Sequence, residues 1–510
     1  MDASQLIENR VSALLSNNEL YSTYRERWNE LYQAYIGGED YTLSGHLQKY
    51  QLENNTEYSK RLNHTPLENH CRSCISVYNG FLFKYPPVRD LGTLGGNPVV
   101  EEFLQNADQD GQSLNEMMRN ASTWSSVFGA VWLILTKPNL GLQTQAEELQ
   151  AGVRPYLNML TPLAVTDWQY TRDAIGKYTL TYFKYIEDFN GDVQVIKEWT
   201  PETIKTSTVN IKDKDIIQEE EIENQLGKIP AICVYNQKSD VRGIGISDIT
   251  DIALMQKHIY NMTSEAVEAI KMGTHPSVVA TQDIAGLSAG PGSVIQMPDN
   301  LEPGLKPYAL EFSGAPIDSI YKSINHAIES IDKMANTGAV RATESRSISG
   351  VAMEVEFSLL NARLSSKGQS LQLAEEQLWN FFSEYMGTEW TGYVEYPNSF
   401  NIRDKDREIA QLKTAKETAT DPNLFAKIDE AIFEWMGYEK EEIKQLMSQD
   451  TPAQPLKLDM QHPPMESPED MIKHMRSMVQ EGYTDEQIME LHPEIKQFFG
   501  DTDGEETQGS

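Results

Sequence analysis

At 510 residues the chain is longer than one ordinary core supports, and its 39% hydrophobic and 9% aromatic content is that of a globular protein. A formal charge of −33, from 43 Lys+Arg against 76 Asp+Glu, argues against a sequence-reading DNA binder, which needs a basic footprint to neutralise phosphates. The same charge does not exclude a protein that nucleic acid must pass without being gripped, where repulsion would be useful.

The three cysteines, Cys71, Cys74 and Cys233, are too few and too odd in number for a disulfide framework, so a reducing compartment is expected. The opening MDASQLIENR lacks a basic-then-apolar signal pattern. The most apolar run, VFGAVWLIL (127–135), is far short of the about 20 residues that span a bilayer. A soluble, cytoplasmic protein with no membrane partner is the expectation.

Residues 1–85 read as helical. Tyr24, Trp28, Leu31, Tyr32 and Tyr35 fall close to one helical stripe that Gly37 and Gly38 stop. ENHCRSCISVYNGFLF forms a second helix, ending before Pro86-Pro87. A third covers 112–135, with its last part able to be a strand. From 155 to 237 the period changes to two. KYTLTYFKYIED, DVQVIKEWT and TIKTSTVNIKD alternate and are rich in Thr, Tyr, Val and Ile, so they read as strands, with Asn190-Gly191 a hairpin turn. Glu219-Glu220-Glu221 belongs to a solvated loop or edge, and KIPAICVYN (228–236) to a short buried strand.

GIGISDITDIALMQKHIYNMTSEAVEAIKMG then starts a helix capped by Ser247, with Asp248 and Asp251 at its positive end. Its 25 residues make a rod of roughly 37 Å. Residues 274–315 are rich in Gly and Pro, with β-like PSVVAT and GSVIQM. Pro316 opens the next helix, in which Ile317, Ile320, Ile324, Ala327, Ile331 and Met334 keep a strict 3-4-3-4 spacing. That seam is narrow, as for a helix lying beside similar rods. A short polar stretch, GAVRATESRSISG (338–350), leads into a helix from 351 to 386 of about 54 Å, with Gly368 a plausible bend. Residues 390–402 are strand-like and 404–448 helical. A Pro-rich linker (450–470) precedes a small helical pair, whose Thr484 and Gln487 form a capping box, and an acidic, disordered tail.

His64, His70, Cys71 and Cys74 supply zinc-capable ligands in the spacing H-x5-H-C-x2-C. On a helix, however, His70 points away from the face that Cys71 and Cys74 share, and Pro66 interrupts the path to His64. Packed thiols are therefore the favoured reading, with no metal and no cofactor. A mid-helix C-x-x-C is also the wrong context for redox work. GLSAGPG (286–292) matches no nucleotide-binding pattern, and the acids after GIGIS (243–247) favour a helix cap over a phosphate site. No nucleophile elbow or H-E-x-x-H is present, so the expected class is not an enzyme.

Several stretches together resemble the portal proteins of tailed bacteriophages. They are RERWNELYQAYIGGEDY, ISVYNGFLFKYPP, IPAICVYNQ followed by GIGISDITDIALMQKHIYNMTS, and SISGVAMEVEFSLLNARL, which span about residues 20–400. Each is weak alone; their order and spacing carry the likeness. The resemblance implies an α+β fold, mainly α, with long helices around an antiparallel β unit. Its implied parts are a wing (1–246 with 351–403), stem helices (247–273 and 316–337), a clip (274–315), a tunnel loop (338–350) and a crown (404–450). Residues 451–510 have no clear counterpart.

It implies a ring of subunits, normally 12, at one capsid vertex. Such a ring conducts double-stranded DNA without reading it, nucleates the head with capsid or scaffold protein, and docks the terminase large subunit and a head–tail adaptor. The implied DNA-facing residues are Arg341, Thr343, Glu344, Ser345, Arg346 and Ser347, with Gly338 and Gly350 as hinges and the 317–334 seam packed against neighbouring copies. The alternatives are another head–tail connector or scaffold protein, or a metal-dependent enzyme using the 64–74 cluster.

Overall fold

A computed structural model describes residues 3–141, 144–274, 277–279, 308–310, 315–341 and 350–400, with a few positions between 412 and 433. The chain divides into two units, 1–402 and 403–510. Among the described residues of the second, helical turns occur at 412–414, 427–430 and 432–433, and Lys416 pairs with Asp429 at 2.5 Å.

In the first unit, α1 (Ala3–Leu15), α2 (Glu19–Ile36), α3 (Gly38–Thr42), α4 (Asn55–His64) and α5 (His70–Leu82) open the chain. Helix α2 starts because the Asn18 side chain accepts from Leu20 N, and it stops at Gly37, whose φ is 65°. Its stripe buries Tyr21, Trp28, Leu31 and Ala34, while Tyr24, Tyr32 and Tyr35 pack against the core from a half-exposed position. Strand β1 (Val88–Asp90) follows, then α6 (Pro98–Gln105) and α7 (Leu114–Phe128). A reciprocal Ser113–Glu116 capping box begins α7.

Strand β2 (Ala130–Thr136) directly succeeds α7, as the alternative for the end of the 112–135 segment allowed. It lies between β3 (Tyr156–Leu160) and β9 (Ala231–Tyr235), antiparallel to both. Covered on both faces, its residues 130–135 are all buried, which explains the unbroken apolar run. Between β2 and β3 sits α8 (Gln145–Gln150).

A second sheet is a five-stranded meander: β4 (Val165–Arg172), β5 (Tyr178–Asn190), β6 (Val193–Trp199), β7 (Thr203–Asn210) and β8 (Asp215–Glu223). Helix α1 covers one face, where Val11 and Leu14 join Ile196 and Val209 in a satellite core. Lys184 is buried below α1, and its ammonium caps the helix end by donating to Leu14 O (3.2 Å) and Ser16 O (2.6 Å). The turn between β5 and β6 forms at Gly191 and Asp192, one residue beyond the expected pair, because Asn190 still pairs with Val193. Strand β6 pairs with β5 only from Phe183 onward, so residues 169–182 form a two-stranded extension beyond the sheet. Strand β8 is an edge, as the Glu219-Glu220-Glu221 run suggested, and it bulges between Ile216 and Gln218.

Two long helices come next. Helix α9 (Thr250–Thr274) and α10 (Ala315–Ala335) pack side by side. Between them the described residues are β10 (Ser277–Val279) and β11 (Tyr308–Leu310), which pair antiparallel. The first belongs to the expected PSVVAT strand; GSVIQM lies outside the described residues. After the one-turn α11 (Gly338–Arg341), α12 (Gly350–Tyr385) runs 36 residues. Gly368 remains inside this helix. A Cβ there would lie 3.1 Å from Pro397 O and 3.6 Å from Leu82 Cδ1, so its smallness admits the returning chain. That chain forms β12 (Tyr393–Glu395), which pairs antiparallel with β1. Below the pair, buried Glu375 accepts from Arg89 and from Tyr396 Oη at 2.7 Å.

The linker between β9 and α9 is held by two glycines. At Gly245 a Cβ would stand 1.9 Å from Gly129 O, and at Gly129, with φ 92°, it would stand 2.3 Å from Gly245 O. The two backbones therefore touch, and the GIGIS motif is a packing feature rather than a phosphate cradle.

Candidate functional site

The elements singled out by the sequence converge where α9, α10 and α12 meet the core of the first unit. Arg363 and Lys367 lie one turn apart on α12, on one face. Both reach Asp248, just before α9. Arg363 Nη2 donates to Asp248 Oδ1 at 2.9 Å, and Lys367 Nζ donates to Asp248 Oδ2, to Asn236 Oδ1 and, at 2.7 Å, to Ser126 Oγ. Asn236 Nδ2 completes the set by donating to Asp248 Oδ1 at 2.9 Å. Arg363 also donates from Nη1 to Met334 O at 3.0 Å, in the last turn of α10. Tyr78 of α5 sits beneath, its ring centroid 5.1 Å from the Arg363 guanidinium and its hydroxyl donating to Ala335 O at 2.6 Å. Asp248 and its two cations thus link α12 to the residues flanking α9 and β9, to α7 through Ser126 and to α10 through Met334 O.

Burial would raise the Asp248 carboxyl, but the Lys367 and Arg363 charges outweigh it and hold it at about 2. Burial pushes the Lys367 ammonium down, with Asp248 opposing. The expected helix-dipole role of Asp248 is thereby corrected. Ser247 Oγ does accept from Ile249 N at 3.1 Å, but α9 begins at Thr250 and Asp248 turns inward to the two cations.

The second cluster roots the polar stretch after α10. Asn336 adopts φ 56°, Thr337 N donates to Asp332 O, and the chain turns into α11. Arg341 at its end is largely buried. Nη1 donates to Asp332 Oδ1 (2.8 Å) and Cys74 Sγ (3.0 Å), and Nη2 donates to His70 Nδ1 (2.8 Å). A guanidinium can only donate, so His70 Nδ1 accepts and the ring is neutral with its proton on Nε2. Burial and then Arg341 push the His70 pKa down. Gly338 lies against α12: a Cβ there would be 3.2 Å from Glu356 Oε2. Gly350 is the first residue of α12. Thr343, Glu344, Ser345, Arg346 and Ser347 lie outside the described residues.

The apolar stripe of α10 is covered within the chain over its central part. Ile324, Ala327 and Ile331 are 6%, 2% and 0% exposed, in one core cluster with Ile252 and Ile259 of α9. Ile320 packs against the same cluster, Ile317 is half-buried and Met334 is exposed. The rod packed on this seam within the chain is α9. The outward side of α10 carries Tyr321, Lys322, His326 and Lys333.

Cys71 and Cys74 are buried on α5, and burial pushes both thiols up. His64 is exposed at the end of α4, with Nδ1 2.7 Å from Lys60 O. Among the described residues no group of three or more His, Cys, Asp or Glu is placed to hold a metal ion. Also among them, no helix is long and apolar enough to cross a membrane.

The family model for "Phage portal protein, SPP1 Gp6-like" matches residues 21–441, and the chain belongs to that family, whose members are structural rather than enzymatic. Among solved structures, the chain is similar to one in "Neck of empty GTA particle computed with C6 symmetry", with 10% identity and a TM-score of 0.45, covering 77% of this chain and 98% of that one. It is also similar to one in "Virion of native gene transfer agent (GTA) particle", with 12% identity and a TM-score of 0.40, covering 78% and 98%. A search of curated protein sequences gave no match.

Proposed function

We propose that the chain is the subunit of a ring at one capsid vertex through which double-stranded DNA enters during packaging and leaves on ejection. The observation that carries this reading is the family match across residues 21–441, together with two packed helices, a rooted polar segment and a long third helix in that order. In this reading residues 1–246 with 351–403 are the wing, α9 and α10 the stem and 274–315 the clip that meets the terminase large subunit and a head–tail adaptor. Residues 404–450 are the crown, and 451–510 an extension toward other head proteins. Assembly takes place in the host cytoplasm and the product resides in the virion.

Residues 342–349 are the tunnel constriction. Arg341 anchors its root, since its guanidinium is occupied by His70, Cys74 and Asp332. Arg346 is the cation offered to passing phosphates, beside Glu344 and the hydroxyls of Thr343, Ser345 and Ser347. The strongly negative chain, repeated around a channel, would repel the DNA backbone and keep contacts weak. Negative-stain microscopy and native mass spectrometry of the purified protein test the reading. A ring with a central hole is expected; a monomer at every concentration overturns it.

A further inference from the structure

The five-stranded sheet has two free edges of opposite charge. At the β4 edge, the hairpin extension ends in Arg172 and Lys177, both exposed, and Arg242 stacks on the Tyr178 ring at 3.6 Å from its centroid. None of these three cations forms an ion pair among the described residues. Of the nearby acids, Asp173 is occupied within the turn, accepting from Ile175 N and Lys177 N, and Asp240 is exposed. Ile175, at the very tip, is 88% exposed.

At the β8 edge, Glu219 is taken by Arg10 and Glu221 by Lys205, but Glu220 and Glu223 are exposed with no side-chain partner among the described residues. The strands alternate in direction, so β4 and β8 run the same way. Arg172 and Glu223, each the last residue of its strand, therefore lie at the same end of the sheet. The cations Lys212 and Lys214 sit in the β7–β8 turn at the other end. The edges are roughly 19 Å apart, four strand spacings, and the hairpin reaches about 17 Å past the start of the β5–β6 pairing.

We propose that the cationic tip of the β4–β5 hairpin of one copy docks on the acidic β8 edge of the next. This rests on the ring reading above. A closed ring needs a head-to-tail contact between two different patches, and a basic patch and an acidic patch on opposite edges of one sheet are such a pair. The occupant is a second copy of this chain because each copy carries both halves at the same end of the sheet. Edge charges also discourage stray strand pairing, and if that were their only role, exchanging them between the two edges would be neutral.

The test uses the full chain with Arg172→Glu/Lys177→Glu, with Glu220→Lys/Glu223→Lys, and with all four changes. Ring fraction is read by native mass spectrometry and sedimentation across a salt series, with far-UV circular dichroism to check folding. Each pair of reversals should raise the concentration for half-assembly about tenfold, and the fourfold variant should recover to within about threefold of the parent. Rings from the parent should weaken with salt. Parent rings with neutral reversals, or a fourfold variant no better than either pair, overturn this contact and leave the ring reading standing. No ring from the parent at any concentration overturns both.

Discussion

Arg341 Nη2 donates to His70 Nδ1 over 2.8 Å, joining positions 271 residues apart. The bond fixes the histidine as a neutral acceptor and ties the entry of the 342–349 segment to the first turn of α5. Protonating Nδ1 would replace this bond with a contact between two cations.

The pH response of His70 follows. Its folded pKa is depressed, so the unfolded chain binds the proton more readily, and the contribution is fully present above the ordinary histidine pKa of about 6.5. Stability should decline as pH falls from about 7 to 5, and His70→Gln should flatten that part of the profile. Thermal unfolding across this window is the check; an unchanged slope in the variant would show that His70 is not the titrating group.

Asp248→Asn should be among the most damaging single changes. It leaves Lys367 and Arg363 facing each other in a buried site, at a cost of about 3–5 kcal/mol. The wild-type carboxyl, held at about 2, contributes fully above the ordinary aspartate value of about 3.8, and that contribution is lost as pH falls toward 2. Urea unfolding at pH 7 and at pH 3 should show the parent and the variant converging on acidification.

Gly245→Ala should cost more than about 3 kcal/mol, because the new Cβ would collide with Gly129 O. Gly38→Ala serves as the comparison. It has φ 61° but open space around it, so the cost should be the backbone term alone, about 1 kcal/mol. Comparable denaturation midpoints for the two variants would mean the backbones can separate cheaply.

Ile331→Ala should destabilise the subunit by about 2–5 kcal/mol, since Ile331 is fully buried against its own chain. Ile324→Asp should lower the melting temperature of the subunit as well as its capacity to assemble. A normal melting temperature with lost assembly would show that the stripe faces neighbouring copies.

Deleting 342–347 while keeping Arg341 should leave rings intact and abolish DNA packaging or retention. Ring counts by microscopy and protected DNA after nuclease treatment separate the two effects. Loss of rings would make the segment a structural part.

The long elements were readable because their signals are local. Period 3.6 marks α2, α9, α10 and α12, period 2 marks β5 to β7, and Gly37 and Pro316 place boundaries near where they fall. The same periodicity identified the α10 stripe but not what covers it, because a 3-4 spacing looks the same against α9 as against another copy. The junction was not readable at all. Asp248 and Lys367 are 119 positions apart, and each reads alone as an ordinary helical charge. Arg341 was counted with the polar stretch it borders because nothing nearby in sequence signals His70 or Cys74. Gly129 and Gly245 look like turn residues until the two backbones are seen to meet.

Holding Arg341 against His70, Cys74 and Asp332 changes what the narrowest part of the proposed channel presents. What remains, ATESRSIS (342–349), holds one glutamate and one arginine and is formally neutral. Any whole number of copies of a neutral segment is still neutral, so the constriction would carry no net charge whether the ring closes with eleven, twelve or thirteen subunits. The electrostatic work of moving a polyanion through it would then be insensitive to errors in ring size, and the selection of a correct stoichiometry would fall to other contacts of the subunit.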